Sequence, residues 1–193
     1  IRHKLILESK GIKVVKNMKV ALVTGASGSI GSEIVKLFSK NSIDSVICYN
    51  SNRENSEKLF KFIEGDNLIT KLDVTNQNDI KNVSEIVNQK YGALDILVNC
   101  AGMTKFIKHE NLDELSDELI DKILQVNVRS VIAMMRNFLH LLKKSQNATV
   151  INISSIAAVT GMGSNIAYCA SKAAVDNLTK SFARAFAPIR VIS

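Results

Sequence analysis

From Lys19 onward, short apolar runs rich in β-branched residues alternate with longer stretches in which apolar positions recur every three or four residues. The runs "KVALVTG", "SVICYN", "NLITKLDV", "LDILVNCAG" and "ATVINISS" predict strands, and their near-continuous apolar character is that of parallel strands covered on both faces. Between them, "SEIVKLFSK", "NSEKLFKFI", "NDIKNVSEIVNQKYG" and the long "LIDKILQVNVRSVIAMMRNFLHLLKK" have helical spacing. A further helix begins near Asn165, and the lone proline, Pro188, can close it. Strand and helix in alternation predict right-handed crossovers and an α/β doubly wound parallel sheet, a Rossmann-like three-layer αβα fold. No internal repeat, low-complexity tract or linker interrupts the pattern.

Length and composition narrow the picture. A chain of 193 residues that is 46% hydrophobic can bury one good-sized core, so residues 18–193 are read as one dinucleotide-binding domain. Nothing approaches the roughly 20 apolar residues that a membrane span needs, which predicts no membrane partner. The net charge of +7 suggests an acidic partner, yet residues 1–17 carry Arg2, Lys4, Lys10, Lys13 and Lys16 against Glu8 alone. The body is therefore only mildly basic and, at 5% aromatic, poor in stacking groups, which argues against nucleic acid.

Cys48, Cys100 and Cys169 are odd in number and widely spaced, suggesting neither a disulfide framework nor a zinc site, and a reducing compartment is the default. The leader, residues 1–17, begins with Ile1, is basic and poor in acids, and reads either as the remnant of an organellar targeting peptide or as upstream sequence ahead of Met18. The expected location is cytoplasmic, or a plastid or mitochondrial matrix if the first of these holds.

"VALVTGASGSIGSEIVKLF" places Gly25, Gly28 and Gly31 between the first predicted strand and the first helix. Residues without a Cβ permit a tight turn there and let backbone N–H groups approach a pyrophosphate at the positive end of the helix. The same glycines could serve packing alone, but a strand–turn–helix opening a βαβ series favours a dinucleotide. At the end of the second strand, "CYNSNR" offers Asn50, Ser51, Asn52 and Arg53, with no acid to hold a ribose 2′-hydroxyl and one guanidinium to meet a 2′-phosphate. NADP is thus favoured over NAD. Asp73, ending the third strand, lies where a carboxylate could accept from an adenine amino group, though it could equally cap a helix.

Tyr168 and Lys172 in "AYCASK" share one helical face a turn apart. A nearby ammonium favours the phenolate, which turns a group with an ordinary pKa near 10 into a usable proton donor and acceptor. Such a pair is common by chance, but "INISSIAA" ends a central strand with Ser154 and Ser155, and "LVNCAG" ends its neighbour in the same way. Open α/β sheets bind ligands at the carboxyl ends of their strands.

From Lys19 to Ser193 the sequence resembles the short-chain dehydrogenase/reductase family, through "TGASGSIG", "NCAG" at Asn99–Gly102, and Ser155 followed by "YCASK". Within that family, "INISSIAAVTGMGSNIAYCASKAAV" looks most like the 3-oxoacyl-[acyl-carrier-protein] reductases of type II fatty-acid synthesis. The resemblance implies a catalytic tetrad of Asn127, Ser155, Tyr168 and Lys172. Ser155 would hydrogen-bond the substrate carbonyl, Tyr168 would protonate its oxygen, Lys172 would hold the nicotinamide ribose, and Asn127 would fix a water that resupplies protons. It further implies cofactor contacts from Gly25, Ser27, Gly28, Ser29, Ile30 and Gly31, from Asn50, Ser51 and Arg53, from Asp73 and Val74, from Asn99, Ala101 and Gly102, and from Tyr168 and Lys172.

Three departures from the family pattern stand out. The middle glycine falls at Gly28, with Ser29 where TGxxxGxG has glycine, so a Cβ stands close to the phosphate. Cys100 replaces a usual asparagine, removing an amide that could tie neighbouring strands at a modest cost in stability. The chain stops at "APIRVIS", whereas the family continues through a nicotinamide-seating turn, a substrate lid and a final strand, which implies a C-terminally incomplete domain with an exposed sheet edge. The expected function is NADPH-dependent reduction of a 3-oxoacyl-[acyl-carrier-protein]. The alternatives are another ketone or secondary alcohol (a sugar, polyol or steroid), or an impaired nucleotide-binding fragment. An acyl-carrier-protein thioester, met in part by Lys143 and Lys144, and a homo-oligomer, dimer or tetramer, are the expected partners.

Overall fold

A computed structural model describes residues 4–9 and 12–193, with residues 4–9 and 12–17 as backbone only. β1 (Lys4–Ser9) and β2 (Ile12–Asn17) pair antiparallel as a two-stranded sheet of their own, a feature absent from the strands expected of the sequence. The remaining strands are β3 (Lys19–Val23), β4 (Ile43–Tyr49), β5 (Leu68–Lys71), β6 (Ile96–Asn99), β7 (Thr149–Asn152) and β8 (Arg190–Ile192). They form one parallel sheet in the order β5-β4-β3-β6-β7-β8. The order reverses between β3 and β6, and the crevice beyond their carboxyl ends is where such sheets bind ligands.

The helices are α1 (Ser29–Lys40), α2 (Arg53–Phe62), α3 (Gln77–Tyr91), α4 (Asp117–Leu124), α5 (Ser130–Leu142), α6 (Ala157–Thr160) and α7 (Ile166–Ala185). Alternate residues of each central strand feed two separate cores. Val20, Leu22, Val46 and Cys48 pack with Ile80 and Val83 of α3 and Met134 and Phe138 of α5. Val23 and Ile47 point the other way, onto Val35 of α1 and Leu59 of α2. Because both faces are covered, the strands read as continuous apolar runs instead of alternating ones.

Two expectations are refined. The third predicted strand is shorter than "NLITKLDV", because the Asp73 carboxylate accepts from the Thr75 backbone N–H (2.8 Å) and from Thr75 Oγ1 (2.7 Å), turning the chain. The long predicted helix is two helices, α4 and α5, joined without a break by a π-helical turn over Gln125–Arg129. Such turns inside helices commonly mark functional positions; Asn127 sits in this one. Among the described residues, no helix is long and apolar enough to cross a membrane.

Candidate active site

Beyond β3, at the carboxyl edge of the sheet, the chain turns through Thr24 and Gly25. The Thr24 hydroxyl accepts the backbone N–H groups of both Cys100 and Ala101, each at 3.0 Å, and donates to the Val98 carbonyl at 3.3 Å. This draws the end of β6 against the glycine turn. Gly25 has φ +64, and a Cβ there would lie 2.9 Å from the Ala101 Cα. Gly31 is tighter still: a Cβ would stand 2.5 Å from the Gly25 carbonyl oxygen. Gly28 has ordinary extended backbone and serves as the N-cap of α1.

Helix α1 starts without a side-chain cap and without an acid in its first turn, whereas Asn52, Asn76, Ser116 and Asn165 cap α2, α3, α4 and α7 with their side chains. Its first N–H groups and the positive end of its dipole are thus left for an anion. They open onto a cavity of about 600 Å³, a volume within the usual range for small-molecule sites. The wall includes Gly25, Ser27, Gly28, Ser29, Ile30 and Gly31 from the turn, Asn50 and Ser51 from the end of β4, and Asp73 and Val74 after β5. Ala101 and Gly102 complete the expected set. The glycine cradle, the uncapped helix and the flanking carboxylate together fit a dinucleotide.

A second group of side chains gathers on the Gly102 side of the cavity. A Cβ built on Gly102 lies 3.4 Å from Asn127 Oδ1 and 3.7 Å from Lys172 Nζ, so the amide and the ammonium flank the cavity wall. The π-turn buries Asn127 to 2% exposure; its Oδ1 accepts the Met103 N–H (2.8 Å), and its Nδ2 donates to the Met103 carbonyl and to Ser171 Oγ, each at 3.0 Å. Ser171 in turn donates to the Tyr168 carbonyl at 2.7 Å. Asn165 holds the start of α7 by accepting the Tyr168 N–H and donating to the Lys105 carbonyl, so the loop after β6 is fastened to the helix that carries Tyr168.

Lys172 is only 6% exposed and donates to the Ile153 carbonyl at 2.7 Å. Its Nζ lies 5.7 Å from the Tyr168 ring centroid. Burial pushes the Lys172 pKa down, and Cys100 and Asp176 work against that. Burial pushes the Cys100 thiol up, opposed by Lys172. Ser155 Oγ accepts the Ala157 N–H at 3.2 Å, capping the following turn while its own proton remains to be donated.

Four of the expected cofactor residues, Arg53, Asn99, Tyr168 and Lys172, do not line the cavity, the last lying against Gly102, which does. Arg53 turns along α2 to Glu57, with Nε donating to Oε1 at 2.7 Å, and its side chain is 73% exposed. Asn99 is buried within the sheet and donates to Asn152 Oδ1 at 2.8 Å. The Asn99–Asn152 bond ties β6 to β7. Leu72, Cys100, Met103, Lys122 and Val126 also line the cavity. Leu72 and Cys100 adjoin expected residues in the chain, but Lys122 and Val126 arrive from α4 and the π-turn by tertiary packing that no local signal announces.

The description "short chain dehydrogenase" fits residues 19–193. Over 174 residues the chain is 35% identical to the 3-oxoacyl-[acyl-carrier-protein] reductase of Thermotoga maritima, covering 88% of this chain and 68% of that protein. It is 29% identical to an NAD-dependent glycerol dehydrogenase of Listeria innocua, covering 90% of this chain and 66% of the relative. The chain thus spans about two thirds of the length of these relatives. A crystal structure of a Burkholderia xenovorans protein described as a short-chain dehydrogenase/reductase superposes with a TM-score of 0.87 at 31% identity, covering 91% of this chain and 75% of that one.

Proposed function

Because the chain belongs to the short chain dehydrogenase family of oxidoreductases, which use a nicotinamide cofactor, we propose that it reduces 3-oxoacyl thioesters carried on acyl-carrier protein, with NADPH as reductant. The observation that carries this reading is the buried Lys172 ammonium packed against Gly102, a glycine that lines a cavity headed by the uncapped α1.

The bound cofactor would supply a hydride to the carbonyl carbon. Charge then grows on the carbonyl oxygen, and donors fixed in advance stabilise it most at that point. Ser155 donates its O–H to this oxygen, its lone pair being held by the Ala157 N–H. Tyr168 transfers its phenolic proton to the same oxygen. The Lys172 ammonium stands 5.7 Å from the centroid of the Tyr168 ring. Lys172 has three N–H donors and one of them is on Ile153, which leaves two for ribose hydroxyls. Asn127 has both amide protons engaged, so only a second lone pair on Oδ1 is left to hold a proton-relay water.

Preference for NADPH rests on Asn50 and Ser51, which line the cavity and carry no negative charge of their own to repel a 2′-phosphate. Arg53 can join them at little cost, since an exposed i,i+4 ion pair is weak and screened by solvent.

The test is NADPH oxidation with acetoacetyl-carrier protein. Tyr168→Phe should lower kcat at least about 100-fold while NADPH binding persists. The similarity to a glycerol dehydrogenase supports a second reading, oxidation of a small polyol with NAD. Turnover of glycerol with NAD, and none of the thioester, would replace the first reading with the second.

A further inference from the structure

Lys172 is a buried cation that donates to a neutral carbonyl, that of Ile153. The titratable groups that face it come from two elements: Tyr168 and Asp176 on α7, and Cys100 at the end of β6. Burial pushes the Cys100 thiol up, so near neutral pH it is an uncharged thiol. That leaves Asp176 as the negative charge in the surroundings of the ammonium.

Asp176 follows Lys172 by one helical turn, so the two side chains share a face of α7, and the Cα–Cβ bond of Asp176 tilts toward the helix N-terminus, where Lys172 lies. Asp176 Oδ1 is shielded from solvent and accepts no hydrogen bond. A buried carboxylate oxygen without a donor is uncommon enough to require a reason. A nearby buried cation supplies one, because at low local dielectric two opposite charges attract across several ångströms without touching.

We propose that Asp176 is a positioning residue that keeps Lys172 in its ammonium form through space, so that the ammonium stays available to the ribose hydroxyls and to Tyr168. The proposal rests on the role given to Lys172 above.

The test reads the lysine directly. In the full chain with ¹³C,¹⁵N-labelled lysine, the Lys172 signal is assigned by its loss in Lys172→Arg and titrated without cofactor. In Asp176→Asn the midpoint should move to lower pH than in the wild type, each unit being a tenfold rise in the neutral fraction. Asp176→Glu should restore most of the difference, and Asp176→Ser should match Asp176→Asn if the latter folds poorly. NADPH affinity of Asp176→Asn should fall at alkaline pH and match the wild type at acidic pH, a pattern that a packing defect would not produce. Coincident midpoints in wild type and Asp176→Asn would overturn the proposal, as would equal shifts in the Asn and Glu variants. Failure of the wild type to reduce any carbonyl would sink the reductase reading and leave the midpoint comparison standing.

Discussion

Alanine placed at each of the three turn glycines should have three different effects, and the differences follow from the space around each. At Gly31 an added Cβ would lie 2.5 Å from the Gly25 carbonyl oxygen and 2.8 Å from the Ala26 Cα. Both contacts are backbone, so no side-chain rotation relieves them, and the cost belongs at the upper end of the overpacking range, about 3 kcal/mol. For a chain of this size that is roughly 6–12 °C in melting temperature. At Gly25, φ +64 costs an L-residue about 1–2 kcal/mol, and the 2.9 Å approach to Ala101 adds to it. Gly28 has φ −84, and its Cβ would meet only the Gly25 oxygen at 3.4 Å, so Gly28→Ala should cost no more than about 1 kcal/mol, the loss expected on placing alanine at an N-cap. Because Gly28 lines the cavity, that variant should nevertheless bind NADPH more weakly. The assay is thermal unfolding of the three variants with and without NADPH, where a ligand at 100 times its Kd adds about 2.7 kcal/mol. If Gly31→Ala melts with the wild type, or Gly28→Ala is the least stable of the three, the steric reasoning is wrong.

Two further outcomes are expected. Thr24→Val keeps the shape of the side chain but leaves the Cys100 and Ala101 N–H groups without their acceptor; at about 1–3 kcal/mol for each unsatisfied donor, urea unfolding should show a loss of roughly 2–6 kcal/mol, largely recovered by Thr24→Ser. Burial lowers the Lys172 pKa from its ordinary 10.5, so the unfolded chain binds more protons between the two values and stability rises with pH across that window. Lys172→Met without cofactor should therefore be more stable than the wild type near neutral pH, with the gap closing as pH approaches 10.5; a gap independent of pH would refute the burial argument.

What was legible in the sequence was whatever depends on near neighbours in the chain. The central strands announced themselves because both faces are buried, and the turn glycines because their spacing is set by one strand–turn–helix unit. Asn165 was readable as a helix start, since an asparagine ahead of an apolar segment caps it through its own side chain. Arg53 was assigned to the cofactor on proximity to β4, but the chain turns into α2 at that residue and Glu57 stands one helical turn away to pair with it. Asn99 carries the family motif, yet its amide is set by Asn152, 53 residues later. Nothing local marks the π-turn at Asn127 either, because it is fixed by Met103 and Ser171, which belong to other elements.

These long-range polar bonds explain how the two halves of the site keep their relation to one another. Thr24 fastens the end of β6 to the glycine turn. Asn99 links β6 to β7 through Asn152, whose own amide donates to Thr179 on α7 at 2.9 Å. Asn127 joins the loop after β6 to Ser171, and Ser171 to the Tyr168 carbonyl. Each partner in this chain from β3 to α7 is buried or half-buried, where an unmet donor is costly and the satisfied network is correspondingly stiff. The turn suited to a pyrophosphate and the helix bearing Tyr168 and Lys172 are therefore held in register by side chains that touch no cofactor. Ser29, at the first position of α1 and exposed, lies outside that network, as does Gly28. The glycines this sequence shares with the TGxxxGxG pattern, Gly25 and Gly31, are the two whose added Cβ would strike backbone at under 3 Å. The middle glycine can move by one residue because an added Cβ there meets nothing closer than 3.4 Å.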